Sequence, residues 1–310
     1  MTPTSAPPFR LDEHVGYLLR RAYVRAERVA ARVIPAPFDA RELTALEVLG
    51  SVGPRSQQEL AALLCVNRTL MVKLIDGLEA RDLVRRERDP ADSRSYALVP
   101  TRRGSAARRR MEPRIEELEE IFTANLTAAG RRRLTELLTK LLTGSEALTV
   151  GAAPDRCSFL VTHAHFTVRA LGRERLGRLD LNPRRLGALA TVGEHEPCSQ
   201  QVVAERLAVS APVVVEVVGE LVGAGLLNRE RDAADRRRYD LRLTAAGRAR
   251  LSAGADEIAA IEDGVRDRLG RAGLTEMQRL LAILIAPATA GRPASPGGHE
   301  DDAGGGPDDA

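Results

Sequence analysis

Apolar residues recur along the chain mainly at the three-to-four-residue spacing of amphipathic helices, and the pattern begins again about halfway along. This spacing predicts a helix over residues 12–32 and a second helix over residues 39–49. Their counterparts in the second half of the chain are predicted over residues 155–176 and 182–192. Both halves are therefore expected to open with the same pair of helices.

Two closely spaced helices follow in each half. Ser56, with Glu59 three residues later, has the spacing of a capping box and predicts the start of a short helix. Asn67 suits the N-cap of a second helix, and Ser210 takes that position in the second half. Apolar residues share one face of these second helices: Met71, Leu74, Ile75 and Leu78 in one, and Val214, Val217, Val218 and Leu221 in the other.

After these helices the pattern changes to the two-residue alternation of a strand. Residues 84–88 and 96–98 alternate around a turn-forming segment at 89–92, which predicts a two-stranded hairpin with a charged tip. Thr101 suits the N-cap of the following helix, and long helical stretches close the halves near residues 143 and 286. Two adjacent helices and a basic hairpin are typical of a winged helix-turn-helix.

The two halves are copies of one unit. A shift of 143 residues aligns Phe38 to Gly104 with the second half without a gap, and 26 of the 67 positions are identical. A period this long indicates two domains, because the repeats of a solenoid are roughly 20 to 50 residues long.

Composition favours packed helices in a cytoplasmic protein. Aromatic residues make up 3% of the chain and tryptophan is absent, so the cores must consist of leucine, valine and alanine. An apolar run long enough for a membrane span and a leader sequence are both lacking, which predicts a cytoplasmic location and no membrane contact. Cys65, Cys157 and Cys198 are an odd number at wide spacing, which fits reduced thiols.

The net charge of +3 conceals an asymmetry. The last twenty residues carry one arginine and five acidic residues, so the remaining 290 residues carry a net charge of +7. A basic body suits a phosphate-backbone partner. We expect residues 287–310 to form a disordered acidic tail.

A winged helix predicts double-stranded DNA as the partner. The apolar face of the second helix would seat it on the domain and leave Arg68, Thr69, Val72 and Lys73 facing outward into a major groove. The hairpin would bring arginines to phosphates or into a narrow minor groove.

An ordered set of short motifs occurs twice. The first half has Leu60-Ala61, Val66-Asn67-Arg68, Leu78-Glu79, Leu83-Val84, Asp89-Pro90-Ala91-Asp92-Ser93-Arg94, Thr101 and Gly104. The second half has Gly225-Leu226-Leu227, Arg231-Asp232, Asp235-Arg236-Arg237 and Leu243-Thr244-Ala245-Ala246-Gly247. In these motifs the chain resembles the MarR family of bacterial regulators, which is named for multiple antibiotic resistance. The resemblance covers most of residues 10–286.

The resemblance implies a mainly α-helical fold with small β-hairpin wings. It predicts winged-helix domains at residues 10–143 and 155–286, joined by a linker at residues 144–154. Family members are dimers whose first and last helices interlock, so the halves are expected to form an intramolecular pseudo-dimer. The resemblance also implies a sequence-specific regulator, a repressor that is relieved by a small aromatic, phenolic or drug-like effector.

The halves differ where they would meet DNA. The outward residues Arg68, Thr69 and Lys73 are replaced in the second half by Ala211, Pro212 and Glu216. Phosphate repels a carboxylate such as Glu216, whereas the second hairpin gains Arg236 and Arg238 in place of Ser93 and Ser95. We therefore expect the first half to read base edges and the second half to bind DNA mainly through its wing. The alternative is a second half that no longer touches DNA.

The predicted DNA contacts come from the second helix of the first half and from both hairpins. They are Arg68, Thr69, Lys73, Arg88, Arg94, Arg231, Arg236, Arg237 and Arg238. Asp92 and Asp235 are expected to orient the hairpin arginines through charge-assisted hydrogen bonds. Solvated turn charges are the simpler alternative, but the same Asp-x-Arg spacing in both halves favours a role in binding.

A few residues suggest further chemistry. Residues that could line a ligand pocket, or could equally belong to the core, are Tyr17, Tyr23, Phe122, Phe159, His163 and Phe166. His163 and His165 lack the spacing of metal ligands on one helix face, so we expect no metal and no cofactor. The resemblance also implies possible peroxide sensing by Cys157, because some MarR-like proteins use a cysteine in the first helix, although the sequence gives no sign of a lowered thiol pKa.

Two other classes of function compete with regulation. A protein that sequesters a drug or other small molecule could use the same pocket, and the loss of basic residues from the second half's helix keeps this alternative open. An enzyme is not expected, because the chain has no phosphate loop, no nucleophile elbow and no supported acid–base pair.

Overall fold

The computed structural model describes residues 9–88, 96–144, 156–231 and 239–287. The elements of the first half are α1 (Val15–Val33), α2 (Ala40–Val52), β1 (Arg55–Ser56), α3 (Gln57–Leu63), α4 (Arg68–Ala80), β2 (Val84–Arg88), β3 (Tyr96–Pro100), α5 (Arg102–Thr123) and α6 (Ala128–Leu142). The elements of the second half are α7 (Cys157–Gly177), α8 (Pro183–His195), α9 (Gln200–Leu207), α10 (Ala211–Gly223), β4 (Leu227–Arg231), β5 (Tyr239–Leu243), α11 (Ala245–Leu269) and α12 (Arg271–Ile285). The predicted class, mainly helical with small antiparallel hairpins, is confirmed.

The structure corrects some element boundaries. The first predicted helix does not begin at residue 12, because Leu11–Glu13 forms a 3-10 turn and His14 is extended, with φ −103° and ψ 130°. Each closing stretch consists of two helices. Residues 124–127 separate α5 from α6 in the first half. In the second half Gly270 alone, with φ 77°, separates α11 from α12.

Local capping explains where the short helices begin. Ser56 accepts a hydrogen bond from the Glu59 backbone N–H, and Glu59 accepts one from the Ser56 backbone N–H, which completes the predicted capping box. Asn67 caps α4 by accepting from the Leu70 N–H at 2.9 Å. Ser210 is the N-cap of α10, as predicted, although its side chain makes no capping hydrogen bond.

The sheet of the first half has three strands, whereas a two-stranded hairpin was predicted. β1 pairs with β3 and β3 pairs with β2, with Arg55 opposite Leu98 at the added edge. The second half has the two-stranded β4–β5 hairpin and an isolated bridge between Cys198 and Leu241. This bridge lies at the same place in the repeat, because Arg55 and Leu98 become Cys198 and Leu241 after a shift of 143 residues.

Three main hydrophobic cores hold the described residues together. One core lies under the first winged helix, between α2, α3, α4 and the hairpin, and a second lies under the equivalent elements of the other half. The third core draws on α1, α5 and α6 of the first half and on α7, α11 and α12 of the second. Its centre contains Leu19, Phe122, Leu138, Met277 and Leu281, which are almost fully buried. We call this the shared core.

Two hydrogen bonds at helix starts join the halves reciprocally. The Ser158 N–H, in the first turn of α7, donates to Oε1 of Glu119 on α5 at 3.1 Å. The Val15 N–H, at the start of α1, donates to Oε1 of Glu262 on α11 at 3.0 Å. Positions 15 and 119 become 158 and 262 after the 143-residue shift. Each half therefore satisfies a free N–H at the start of the other half's first helix.

Glycine is required where each hairpin passes the helix that follows it. A Cβ atom on Gly104 would lie 1.9 Å from the Leu83 carbonyl oxygen, and one on Gly247 would lie 2.0 Å from the Leu226 carbonyl oxygen. Both distances are far inside van der Waals contact with backbone atoms, so neither neighbour can move aside at little cost. The two copies keep glycine at this position for that reason.

We predict that Gly104→Ala destabilises the protein by about 1–3 kcal/mol, because the added methyl group overpacks a backbone contact. Thermal unfolding followed by circular dichroism measures this as a lowered Tm. Gly77→Ala is the control, since its nearest neighbour outside the α4 backbone is Oε1 of Glu42 at 4.0 Å. This control should be neutral or stabilising by up to about 1 kcal/mol. Equal Tm values for the two variants would contradict the prediction.

Candidate nucleic-acid interface and adjoining cavities

The outer face of α4 carries the residues that the sequence predicted there. Met71, Ile75 and Leu78 are buried in the core of the first winged helix and fix the rotation of α4 about its axis. Arg68, Thr69, Val72 and Lys73, on the opposite face, are exposed. The helix thus presents two positive charges and a hydroxyl group to solvent near its N-terminal end, a chemistry that suits base edges and phosphates.

The outer face of α10 has a different chemistry. Val214, Val217 and Val218 are buried in the second winged-helix core, as the repeat predicts. The exposed residues are Ala211, Pro212, Val215 and Glu216, and 55% of Val215 is accessible. This face offers one carboxylate and no cation at the positions equivalent to those of Arg68 and Lys73.

The bases of the two wings are described, but their tips are not. Arg88 is exposed at the end of β2, and Arg86 is paired with Glu79 and Asp76 of α4. In the second half the guanidinium carbon of Arg229 lies 3.8 Å from the centre of the Tyr239 ring. Arg231 ends β4. The remaining predicted wing residues lie outside the described residues: Asp92, Arg94, Asp235, Arg236, Arg237 and Arg238.

A cavity of about 580 Å³ lies between the first winged helix and the shared core. Four of the six predicted pocket residues line it: Tyr23, Phe159, His163 and Phe166. The opposite wall includes Leu63 to Asn67, the segment that joins α3 to α4. We call this space cavity A. A molecule bound there would touch both the shared core and the turn that carries α4.

Several polar groups of cavity A are neutral or paired. Burial lowers the pKa of His163 to about 4, and its Nδ1 lies 3.5 Å from Sγ of Cys65. Burial raises the pKa of Tyr23. Arg41 pairs with Glu27 at 3.1 Å, and Arg156 pairs with Glu47 at 2.6 Å. Arg169 and Arg173 also contribute to its wall, so cavity A combines aromatic rings and hydrogen-bonding groups with positive charge.

The other two predicted pocket residues lie elsewhere. Phe122 is fully buried in the shared core, so its assignment to a pocket wall was wrong. An aromatic ring on the inner face of α5 fills space between helices, and its apolar surface gains most from that position. Tyr17 lines a separate cavity, and its hydroxyl donates to the Arg206 carbonyl oxygen at 2.9 Å.

This separate cavity, which we call cavity B, has a volume of about 410 Å³ and lies against the second winged helix. Four arginines contribute to its wall: Arg20, Arg169, Arg173 and Arg184; Arg169 and Arg173 also line cavity A. Sequence reasoning missed them, although a signal was present. Arg169 and Arg173 are one helical turn apart on α7 and replace Ala26 and Ala30 of the first half.

Burial disfavours the thiolate form of the three cysteines. Cys157 is 2% exposed, and burial raises the pKa of its thiol; burial also raises the pKa of Cys65 to about 12 and that of Cys198 to about 11. These thiols are protonated at neutral pH, so nothing here favours the peroxide-sensing interpretation of Cys157. Within the described residues, no group of three or more His, Cys, Asp or Glu side chains could hold a metal ion.

Comparison with known proteins assigns the fold to a family. A model of the MarR family matches residues 37–95 and again residues 179–238. The chain is 31% identical over 150 residues to the HTH-type transcriptional repressor NicR of Pseudomonas putida, a match that covers 47% of this chain and 95% of NicR. The chain belongs to the MarR family.

Other relatives of this MarR-family protein also match less than half of the chain. It is 33% identical over 129 residues to a putative transcriptional regulatory protein for the hcr operon of Thauera aromatica, a match that covers 41% of this chain and 78% of the relative. A solved structure of Bordetella bronchiseptica BpsR, described in terms of regulation of DNA binding by 6-hydroxynicotinic acid, is 30% identical with a TM-score of 0.41. That match covers 43% of this chain and 96% of BpsR.

None of the helices in the described ranges is both long enough and apolar enough to cross a lipid bilayer.

The buried histidines predict a loss of stability in mild acid. Burial lowers the pKa of His163 to about 4, below the unfolded value of about 6.5, so the unfolded chain binds a proton more readily. The stabilisation that comes from keeping His163 neutral is complete above about pH 6.5 and declines as the pH falls towards about 4. We expect His163→Gln to remove about 2 kcal/mol of the loss between pH 7 and pH 5.

Thermal unfolding at pH 7 and pH 5 measures this effect as the difference between two Tm values. His195→Gln is the control, because His195 lies at the exposed end of α8. It should leave the pH dependence of the wild type unchanged. The same drop in Tm in His163→Gln as in the wild type would show that His163 is not held neutral by the fold.

Proposed function

We propose that this MarR-family protein is a sequence-specific DNA-binding regulator of transcription, acting as a repressor that a small ligand releases from DNA. The observation that carries the proposal is the outer face of α4, where Arg68, Thr69 and Lys73 are exposed on a helix fixed by a buried opposite face. A relative that is named a transcriptional repressor supports it. Such a protein would work in the cytoplasm, where the DNA is accessible.

We infer that the chain acts as an intramolecular pseudo-dimer. Its units would be residues 10–143 and 155–286, with a linker at residues 144–154 and an acidic tail at residues 287–310. Support comes from the shared core, to which both halves contribute three helices, and from the reciprocal bonds to Glu119 and Glu262. These contacts would hold two winged helices at a set distance on one DNA duplex.

The two halves would contact DNA differently. The first half would read base edges through α4, with Arg88 and Arg94 on its wing close to phosphates. The second half would bind mainly through its wing, with Arg231, Arg236, Arg237 and Arg238, because Glu216 on α10 is repelled by phosphate. Asp92 and Asp235 would orient these arginines. The operator would then be asymmetric rather than a clean palindrome.

Cavity A is the proposed effector site. Its walls belong to α1 and α7 of the shared core and to the turn between α3 and α4, so a ligand there contacts both parts at once. His163 on α7 meets Cys65 in that turn across the boundary between the halves. A ligand that fits one placement of the winged helix better than another would shift the population towards it. Release from DNA follows if the favoured placement does not match the operator.

We predict that Arg68→Ala weakens binding to the operator about tenfold, because alanine cannot make the charge-assisted hydrogen bonds that arginine makes to a base edge. Lys73→Ala should lower affinity and reduce the dependence on salt by about one phosphate contact. The measurement is fluorescence anisotropy with labelled DNA from upstream of the protein's own gene, against scrambled DNA, over a salt series. Glu216→Gln is the matched control on α10 and should bind at least as tightly as the wild type.

The outcomes separate the proposal from its rival. Operator binding by Arg68→Ala that equals the wild type would contradict the role of α4. Weak and equal binding of the wild type to operator and scrambled DNA would instead favour the alternative function, sequestration of a small molecule. That alternative is favoured by one observation: the outer face of α10 has lost its basic residues.

A further inference from the structure

We propose that the outward face of α5 is a docking surface for the acidic tail of the same chain. Four exposed arginines define this face, which we call the α5 basic face: Arg102, Arg103, Arg109 and Arg110. The inference does not depend on the proposed function, in which α4 and the wings contact DNA and these arginines have no role. Docking would place the carboxylates of residues 300–309 against the arginines and shield the face from other polyanions.

The N-terminal part of α5 carries an excess of positive charge. Residues 102–114 include six arginines and one glutamate, a net charge of +5. Met111 and Ile115 pack into the interior on the opposite side of the helix. The arginines of the α5 basic face occur as two pairs that are two helical turns apart, so both pairs project into solvent on the same side.

Neighbouring acidic residues do not neutralise this charge. In the ranges that the structure describes, no carboxylate oxygen lies within 4.0 Å of a guanidinium nitrogen of the α5 basic face. Glu112 pairs with Arg156 at 2.6 Å, and Glu117 pairs with Arg114 at 2.7 Å. The nearest acidic residues of α5 are therefore engaged elsewhere.

Without an anionic partner this arrangement costs stability. The N-terminal end of a helix carries a partial positive charge, which disfavours cations in the first turn. Arg102 and Arg103 lie in that turn, and no acidic residue lies there with them. Arg110 and Arg114 are four residues apart and repel each other as well. A bound polyanion would relieve both kinds of repulsion, so the α5 basic face suits an acidic segment.

The second half shows that packing does not require these arginines. The equivalent residues 245–257 carry two arginines and two acidic residues, a net charge of zero. Arg248 pairs with Glu196 at 2.9 Å, and Arg250 donates to the carbonyl oxygen of Leu179. The four positions of the α5 basic face are occupied in the second half by Ala245, Ala246, Ser252 and Ala253.

The tail leaves the shared core beside α5. Asn125, just beyond the end of α5, donates from Nδ2 to the carbonyl oxygen of Ala286 at 2.8 Å. It also donates to the carbonyl oxygens of Ile283 and Leu284, each at 3.3 Å. The residues that follow Ala286 therefore start at the C-terminal end of the same helix that carries the α5 basic face.

The tail also has a suitable length. Its first acidic residues, at 300–302, begin 14 residues after Ala286, and a flexible segment of that length spans about 20 Å on average. Arg110 lies 15 residues before Asn125, which corresponds to about 22 Å along the helix. An intramolecular contact is most favourable when the average length of the connection matches the distance to be spanned.

The position of the face favours the tail over DNA. Thr101, the N-cap of α5, donates from Oγ1 to the carbonyl oxygen of Asp82 at 2.6 Å. Asp82 follows the C-terminal end of α4, whereas Arg68 and Lys73 lie towards its N-terminal end. The α5 basic face therefore begins at the end of α4 that is remote from the residues proposed to read DNA.

A second pair of exposed arginines lies nearer to the start of the tail but has a different environment. Arg131 and Arg132 of α6 share a groove with Glu116, Glu120 and Glu136. These carboxylates repel an acidic segment. The pair therefore provides a matched control for the α5 basic face.

The test uses a single fluorescent reporter in the full chain. The chain has no tryptophan, so Ala303→Trp places one next to the acidic residues 300–302. Acrylamide, a neutral quencher, measures the accessibility of this tryptophan in about 0.05 M and about 1 M NaCl, since salt screens attraction between exposed charges. We expect the Stern–Volmer constant to be about twofold lower at the lower salt concentration. Arg109→Gln with Arg110→Gln should abolish this difference.

Arg131→Gln with Arg132→Gln, in the same Ala303→Trp background, removes two charges from the control pair and should leave the salt difference intact. Far-ultraviolet circular dichroism verifies that each variant is folded. A quenching constant that is the same at both salt concentrations in Ala303→Trp would overturn the proposal. An equal loss of protection in the control pair would also overturn it.

DNA as the alternative occupant is a separate outcome. The affinity of the same variants for a labelled duplex of scrambled sequence is measured by fluorescence anisotropy. Unchanged quenching in Arg109→Gln with Arg110→Gln, together with weaker DNA binding, would assign the face to DNA and overturn the proposal. The quenching measurement itself contains no DNA, so its result is distinct from a failure of operator binding.

Discussion

The shared core is the constraint on which the rest of the structure depends. α1 and α7 each bury part of their apolar face against helices of the other half. The winged helices are held in position by this core, and both cavities form where a winged helix meets it. The reciprocal bonds from Ser158 to Glu119 and from Val15 to Glu262 set the helix starts in the same way on both sides.

The local elements were predictable because short-range chemistry determines them. The capping box at Ser56, the apolar face of α4 and the alternation of the hairpin each depend on residues that are neighbours in sequence. The second half of the chain repeats much of the same pattern, which strengthened these predictions. The failures have long-range causes. Phe122 is core because helices distant in sequence surround it, and β1 pairs with β3 across the intervening α3 and α4.

The site was predictable to the same extent. The outward residues of α4 follow from its buried face, so their exposure could be inferred from spacing alone. The arginines of cavity B could not be grouped that way, because α1, α7 and α8 bring them together only in the folded chain. A position-by-position comparison of the halves does reveal them, since Arg169 and Arg173 stand where the first half has alanine.

Covalent continuity through the shared core has a consequence for how such a protein behaves at low abundance. Two separate subunits must dimerise before they can bind two half-sites. When they are dilute, the concentration of dimer, and with it the occupancy of an operator, depends on the square of the subunit concentration. Here both halves belong to one chain, and the core assembles at the same rate however few molecules a cell contains. The continuous chain also keeps each molecule's pair of unlike halves together for its lifetime.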